Sequence, residues 1–253
     1  MNDVITMSTN YANFAGILAG FAFSGIYLLI EYEKKESAEV ISILLVGFFG
    51  LILSSFLFSN ITKMAFEEGN IIQIKQVGFS VIIASIVFAL SIMEMFLSLV
   101  FIFILYKMPK QVINLGKIIY YEVSFIVILF IITTIPQLYT DEKIMASLTR
   151  DLFLTVLFSA LITFVLSKIV MKQLDIIFEK YFIQIITVDT ILMLILAAIY
   201  RSDMYLREVP YIFAHIIVSI FTINVMINNF SINHEHRMMI LKDMQKDDQQ
   251  DTP

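Results

Sequence analysis

Long uninterrupted runs of apolar residues are the feature that most limits what this chain can fold into. A helix needs about 20 mostly apolar residues to cross a hydrocarbon layer roughly 30 Å thick. Seven runs meet that requirement, at residues 11–31, 40–60, 78–106, 113–136, 151–171, 179–200 and 210–230. We therefore predict an all-α integral membrane protein, built as a bundle of about seven transmembrane helices.

The composition favours a membrane protein over a soluble one. Hydrophobic residues make up 59% of the chain and charged residues 15%, against about 45–50% and about 25% in soluble domains. In lipid, backbone N–H and C=O groups must be paired within a helix or a closed barrel, and these runs lack the alternation of barrel strands. The expected partner is the lipid bilayer. A net charge of −5 without a long basic run argues against nucleic acid.

The charged residues between the runs predict an orientation. We assign residues 1–230 to a polytopic transmembrane domain and residues 231–253 to a polar cytoplasmic tail. Residues 1–10 contain no lysine or arginine, unlike a secretory signal peptide, so the first run is interpreted as a retained span. The connections on one side carry 11 lysines and arginines and those on the other carry 6. Because cytoplasmic loops are enriched in these residues, we predict a multi-pass protein of the cell (cytoplasmic) membrane with its N-terminus outside and its C-terminus in the cytoplasm.

Three carboxylates lie within the predicted spans, where a charged group near the bilayer centre costs about 2.5–3.5 kcal/mol. Asp189 lies near the middle of the sixth run, and Glu122 lies closer to a helix end, where it can pair with Lys117. Glu94 has the most regular surroundings. Steps of three and four residues place it on a small and polar helix face, which should point into the bundle. That face comprises Ser80, Ala84, Val87, Ser91, Glu94 and Ser98.

Two interpretations of the polar residues stay open. In the structural one they form interhelical hydrogen bonds, each contributing about 0.6 kcal/mol, within a non-transport subunit that acts as a sensor, effector or interaction scaffold. In the functional one, Glu94, Asp189 and His215 converge on a hydrated cavity that passes protons or small cations, with Ser91 and Asn224 beside them. Carboxylates and an imidazole are suited to such a relay. This second interpretation predicts a channel or transporter.

A ladder of small residues marks the first run. Ala12, Gly16, Gly20 and Ser24 follow Ser8 at intervals of four residues and therefore share one helix face. Small side chains let two helices approach closely in a membrane. We predict that this ladder packs against another helix of the chain. The alternatives are that it lines a pore, or that it joins a second copy or a partner subunit.

The sequence contains no motif for enzymatic chemistry. The patterns H-E-x-x-H, P-loop and G-x-S-x-G are missing, and the chain has no cysteine. We therefore expect no enzyme activity, no metal site and no cofactor. Seven spans in about 250 residues resemble the microbial rhodopsins in number and length. However, residues 210–230 contain no lysine for a Schiff base and the chain has no tryptophan, which excludes a retinal protein.

Overall fold

The computed structural model describes residues 2–31, 38–64, 70–138, 142–200 and 211–250. Side chains in these ranges are described except at a few positions near helix ends, at Asp189, and over residues 166–187 and 233–250. Every element in this part of the chain is helical. The helices are α1 (Asn2–Glu31), α2 (Ala38–Ile61), α3 (Ile71–Leu105), α4 (Lys110–Thr134), α5 (Glu142–Tyr200) and α6 (Tyr211–Gln250), and a short 3-10 helix (Ile135–Leu138) follows α4.

Among the described residues, six helices contain stretches long and apolar enough to cross a membrane. These stretches are Val4–Glu31, Val40–Ile61, Ile72–Leu105, Lys110–Thr134, Lys143–Val165 and Ala214–Ile232, and a shorter apolar stretch, Thr190–Tyr200, ends α5. The prediction of an all-helical membrane protein is therefore confirmed. The predicted sixth span, residues 179–200, lies partly outside the residues whose side chains are described.

The distribution of polarity is the reverse of that in a soluble protein. Phe21, Phe125 and Phe158 are each more than 60% exposed, whereas Ser91, Glu94 and other polar side chains are buried. Large continuous apolar surfaces are rare on soluble monomers. An apolar exterior around a polar interior is suited to lipid, which cannot hydrogen-bond with polar groups.

Helix α3 lies at the centre of the bundle and contacts α2, α4, α5 and α6. Helix α1 lies at the edge and packs mainly on α2. Helices α2 and α3 run antiparallel, because Gly47 faces Glu94 and Gly50, one turn later, faces Ser91, one turn earlier. This arrangement surrounds the middle of α3 with other helices and removes it from lipid.

Both ends of α3 have identifiable signals in the sequence. Asn70 caps the N-terminus, where its side-chain oxygen accepts a hydrogen bond from the backbone N–H of Gln73 at 3.3 Å. At the C-terminus, Lys107 has a positive φ of 51°, and the N–H of Met108 donates to the carbonyl of Phe103 at 3.0 Å. This pairing is the Schellman motif that ends many helices, with lysine where glycine is usual.

The two ends of α5 each run parallel to a neighbouring helix. In the N-terminal part, Thr155 contacts His215 and Ser159 contacts Ser219 of α6. In the C-terminal part, the hydroxyl of Tyr200 donates to the carbonyl of Leu57 at 3.0 Å. Met193, seven residues before Tyr200, lies against Gly50, seven residues before Leu57. In each case, equal steps in the same sequence direction along the two helices show that the pair is parallel.

Candidate functional site

Glu94 lies in the interior of the bundle with only 1% of its surface exposed. All six residues of its predicted face are buried, as their periodicity predicts. The side-chain amide of Asn228 on α6 donates to Oε1 of Glu94 at 3.5 Å. A carboxyl group from α3 and an amide from α6 therefore meet inside the part of the chain that spans the membrane. We call Ser91, Glu94, Asn224 and Asn228 the central polar cluster.

Two glycines of α2 let α3 approach closely at this cluster. A Cβ atom built on Gly47 would lie 3.5 Å from the Cβ of Glu94. A Cβ atom on Gly50 would collide with the hydroxyl of Ser91 and lie 2.6 Å from the sulfur of Met193 on α5. Ser91 itself donates to the carbonyl of Val87 at 2.7 Å. Three helices thus meet at Gly50, one turn from Glu94.

Helix α6 contributes a row of polar residues to the interior. Asn224, Asn228 and Ser231 are all buried, and their spacing of four and three residues places them on one helix face. Asn224 was selected from the sequence, and Asn228, which follows it by one turn, donates a hydrogen bond to Glu94. A position one turn from the predicted residue therefore also belongs to the site.

Another buried hydroxyl group lies near this region on α2. Ser54 follows Gly50 by one turn of α2 and is buried. Its oxygen makes no hydrogen bond with the residues that the structure describes. Buried polar atoms are normally paired with protein or ordered water. Ser54 thus continues the buried polar surface of α2 one turn beyond Gly50.

The side chain of Asp189, the second predicted carboxylate, lies outside the described residues. Its backbone belongs to α5 and precedes Met193 by one helical turn. Because Met193 lies against Gly50 and α5 runs parallel to α2 here, position 189 has the same depth as Gly47. That is also the depth of Glu94. The register therefore brings the two carboxylate positions to one level of the bundle.

His215 lies apart from the central polar cluster. It precedes Asn228 by 13 residues, which is about 20 Å along α6. Its Nδ1 atom is 2.8 Å from the hydroxyl of Thr155, and that hydroxyl also lies 2.8 Å from the carbonyl of Asp151. The structure thus joins His215 to α5 and does not bring it to Glu94. We call Thr155, Ser159, His215 and Ser219 the α5–α6 seam.

The small-residue ladder of α1 is only partly turned towards the protein. Ser8 and Ala12 are buried, and the hydroxyl of Ser55 donates to the carbonyl of Ala12 at 2.8 Å. Gly20 and Ser24 are exposed, and a Cβ atom on Gly20 would meet nothing within 4 Å. A Cβ atom on Gly16 would lie 3.7 Å from the hydroxyl oxygen of Ser55. The face that packs on α2 continues instead through Ala15, Ala19, Ala22, Ile26 and Leu29.

Sequence reasoning missed Lys117 as an interior residue. The predicted interfacial pair places Lys117 beside Glu122, but Lys117 is only 9% exposed whereas Glu122 lies on an exposed face of α4. Tyr120 and Ser124 are buried on the same side as Lys117. The spacing of three and four residues in this set is a helical signal that could have identified the buried face.

The central polar cluster can hold and release a proton or coordinate a small cation, because it combines a carboxyl oxygen with amide and hydroxyl groups. Among the described residues, no group of three or more histidines, aspartates and glutamates is placed to hold a metal ion. Comparison with models of known protein families, with curated proteins and with solved structures finds no match to this chain.

Proposed function

We propose that this protein is a channel or transporter that moves protons or small cations through the membrane, with Glu94 as its central group. The observation that carries the proposal is the burial of Glu94 against Asn228 at mid-bundle. Ionisable residues inside transmembrane segments are costly and mark ion and proton pathways. We propose transport, not an enzymatic reaction.

The chemistry of the contact supports a role beyond packing. Asn228 donates to Glu94, and a purely structural acceptor could be an uncharged glutamine or serine. A carboxyl group adds the cost of desolvating its charged form, about 2.5–3.5 kcal/mol at the centre of a helix. We propose that Glu94 gains and loses a proton during transport, which explains why a carboxyl group is present in spite of this desolvation cost.

We propose Asp189 as the second carboxylate of the site. Its support is the shared depth of positions 94 and 189, which follows from the contacts of Gly50 with Ser91 and Met193. Two acidic groups at one level would form a single binding position for a cation or a pair that shares protons. We do not include His215 in this position, because it lies about 20 Å away along α6.

We also propose that the chain crosses the cytoplasmic membrane seven times, with its N-terminus outside. A straight helix from Thr155 to Tyr200 would be about 68 Å long, whereas residues 201–210 can reach at most about 40 Å. Thr155 nevertheless contacts His215, just inside α6. These lengths support our inference that the chain direction reverses between the two described ends of α5, so that α5 supplies two crossings. The N-terminal part of α5 runs parallel to α6 and its C-terminal part runs parallel to α2, which agrees with seven spans that alternate in direction.

The alternative is a non-transport membrane subunit in which the same polar groups only join helices. The α5–α6 seam favours it, because Thr155 with His215 and Ser159 with Ser219 are ordinary interhelical contacts of the kind that stabilises membrane bundles. Under this interpretation Glu94 would be replaceable by glutamine without loss of function.

Ion flux in proteoliposomes tests the proposal. We expect the purified chain to carry protons or alkali cations, and we expect Glu94→Gln and Asp189→Asn to reduce flux at least tenfold while the bundle stays folded. Glu122→Gln is the matched control, because Glu122 is an exposed carboxylate on α4. Flux that is unchanged in folded Glu94→Gln would contradict the proposal and support the structural alternative.

A further inference from the structure

A buried lysine lies on the packed face of α4, outside the central polar cluster. Lys117 is 9% exposed, and Tyr120 and Ser124, which follow it at helical spacing, are almost fully buried. Gly116 brings α4 close to α3 at this level, because a Cβ atom there would lie 3.0 Å from the ring of Phe103. The stem of Lys117 therefore starts inside the bundle, where an ammonium group is as costly as a carboxylate.

Polar side chains continue from Glu94 towards this lysine. Ser98 follows Glu94 by one turn on α3, and Ser231 follows Asn228 by one turn on α6; both serines are buried. Tyr120 belongs to the same hydrophobic cluster as Leu97 of α3 and Ile232 of α6, so the three helices meet here. We call Ser98, Ser231, Tyr120 and Lys117 the polar track.

The contacts around Glu94 are too close for a wide aqueous passage on the side of α2. Gly47 and Gly50 leave α2 directly against Glu94 and Ser91. Narrow passages lined by hydroxyl and amide groups can pass a proton between fixed side chains, whereas a hydrated metal ion needs room for its ligands. The close packing therefore favours the proton.

We propose that Lys117 is the specificity-determining residue of the Glu94 pathway, and that the polar track admits protons and excludes metal cations. This inference rests on the proposed transport function. An ammonium group can give one proton to a neighbouring oxygen and take another back, which restores its charge. A metal ion cannot pass the ammonium group by such an exchange, and the positive charge of Lys117 repels it. For any two unit charges about 10 Å apart at an effective dielectric constant of about 20, such repulsion lowers occupancy roughly tenfold or more.

Selectivity measurements on the full chain in proteoliposomes test this assignment. An internal pH dye reports proton flux, and reversal potentials under opposed K⁺ and H⁺ gradients report selectivity. We expect the wild type to be proton-selective and Lys117→Met to raise K⁺ permeation relative to H⁺ about tenfold. Lys117→Arg should keep K⁺ excluded, because it retains the charge. Lys110→Met is the matched control, since Lys110 is exposed on the same helix.

The outcomes separate the two proposals. Flux of neither protons nor K⁺ in the folded wild type would overturn both. A wild type that passes K⁺ as readily as protons, or a folded Lys117→Met with unchanged selectivity, would overturn the role of Lys117 and leave transport standing. If Lys117→Met does not fold, Lys117→Gln gives the same comparison with an uncharged polar side chain.

Discussion

At the scale of single residues, Gly50 has the least room for a side chain among the described glycines. The Cα hydrogen that takes the place of a side chain at Gly50 faces the hydroxyl of Ser91 on α3 and the sulfur of Met193 on α5. The backbone of α2 can reach this depth only because glycine has no Cβ atom. The positions of Glu94 and of the C-terminal part of α5 both depend on that contact.

We expect Gly50→Ala to lower the free energy of unfolding by about 1–3 kcal/mol, the usual cost of overpacking a filled interior. Unfolding in detergent, followed by circular dichroism, measures the change. Gly20→Ala is the matched control, because a Cβ atom there meets nothing within 4 Å. Equal stability of the two variants would contradict the close approach at Gly50.

Periodicity in the sequence predicted some of the interior residues and missed others for physical reasons. The face that carries Ser91 and Glu94 could be predicted, because small polar residues repeat at helical spacing on an apolar helix. The choice between Asn224 and Asn228 depends on how far α6 is rotated, which neighbouring helices determine. Lys117 was assigned to the interface because it lies near a helix end, where long cationic side chains usually extend towards water.

At the scale of helices, α1 shows how a strong pattern can mark a face of which only a part packs against the described chain. The glycine and serine ladder suggested the contact face, but alanines on a neighbouring stripe make most of the contact with α2. Both stripes consist of small residues, so side-chain size alone does not distinguish them. The rotation of α1 is determined by the surface that α2 offers, and a single sequence does not display that surface.

Substitution by leucine separates the two stripes of α1. Ala19→Leu should lower the free energy of unfolding by about 1–3 kcal/mol, because Ala19 is buried against the bundle. Gly20→Leu should leave the stability of the monomer unchanged, since nothing lies within 4 Å. Size-exclusion chromatography with light scattering adds a test of assembly. A smaller particle for Gly20→Leu than for the wild type would support the alternative in which the ladder joins a second copy of the chain.

The turn between α3 and α4 offers a stabilising change. Lys107 adopts a left-handed conformation with φ of 51°, which costs L-residues with a side chain roughly 1–2 kcal/mol. Lys107→Gly should therefore raise the free energy of unfolding by about 0.5–1 kcal/mol, after allowing for the greater freedom of glycine in the unfolded chain. Lys107→Ala keeps the strain and serves as control. A gain in Lys107→Ala equal to that in Lys107→Gly would refute this explanation.

At the scale of the whole molecule, the helical membrane fold was predictable because it follows from run length and hydropathy alone. The runs match the spans at α2 and α4 within a few residues, and α1 and α3 begin several residues earlier than predicted. Hydropathy could not show that the polar residues at those ends are helical, because the part of a helix that extends into water has no apolar signal. Asn70, which caps the N-terminus of α3, was the local sequence feature that could have indicated where this helix begins.

Labelling from outside the cell tests the proposed seven crossings. The chain contains no cysteine, so single-cysteine variants have no background. An impermeant thiol reagent should label Lys63→Cys and Lys143→Cys in intact cells, and should label Lys110→Cys and Gln250→Cys only after permeabilisation. Six crossings would instead place residue 250 on the same side as Lys63. External labelling at residue 250 would therefore rule out the proposed topology.

The glycine contacts between α2 and α3 also determine which parts of the protein can move. Backbones that touch at Gly47 and Gly50 cannot slide or rotate past Glu94 and Ser91 without collision, so these two helices form one rigid unit. Glu94 is joined to α6 by a side-chain hydrogen bond from Asn228 at 3.5 Å, and a bond of this kind can break and reform without a collision between backbones. Under the proposed transport function, we therefore expect α6 to be the helix that moves and α2 with α3 to form the stationary frame.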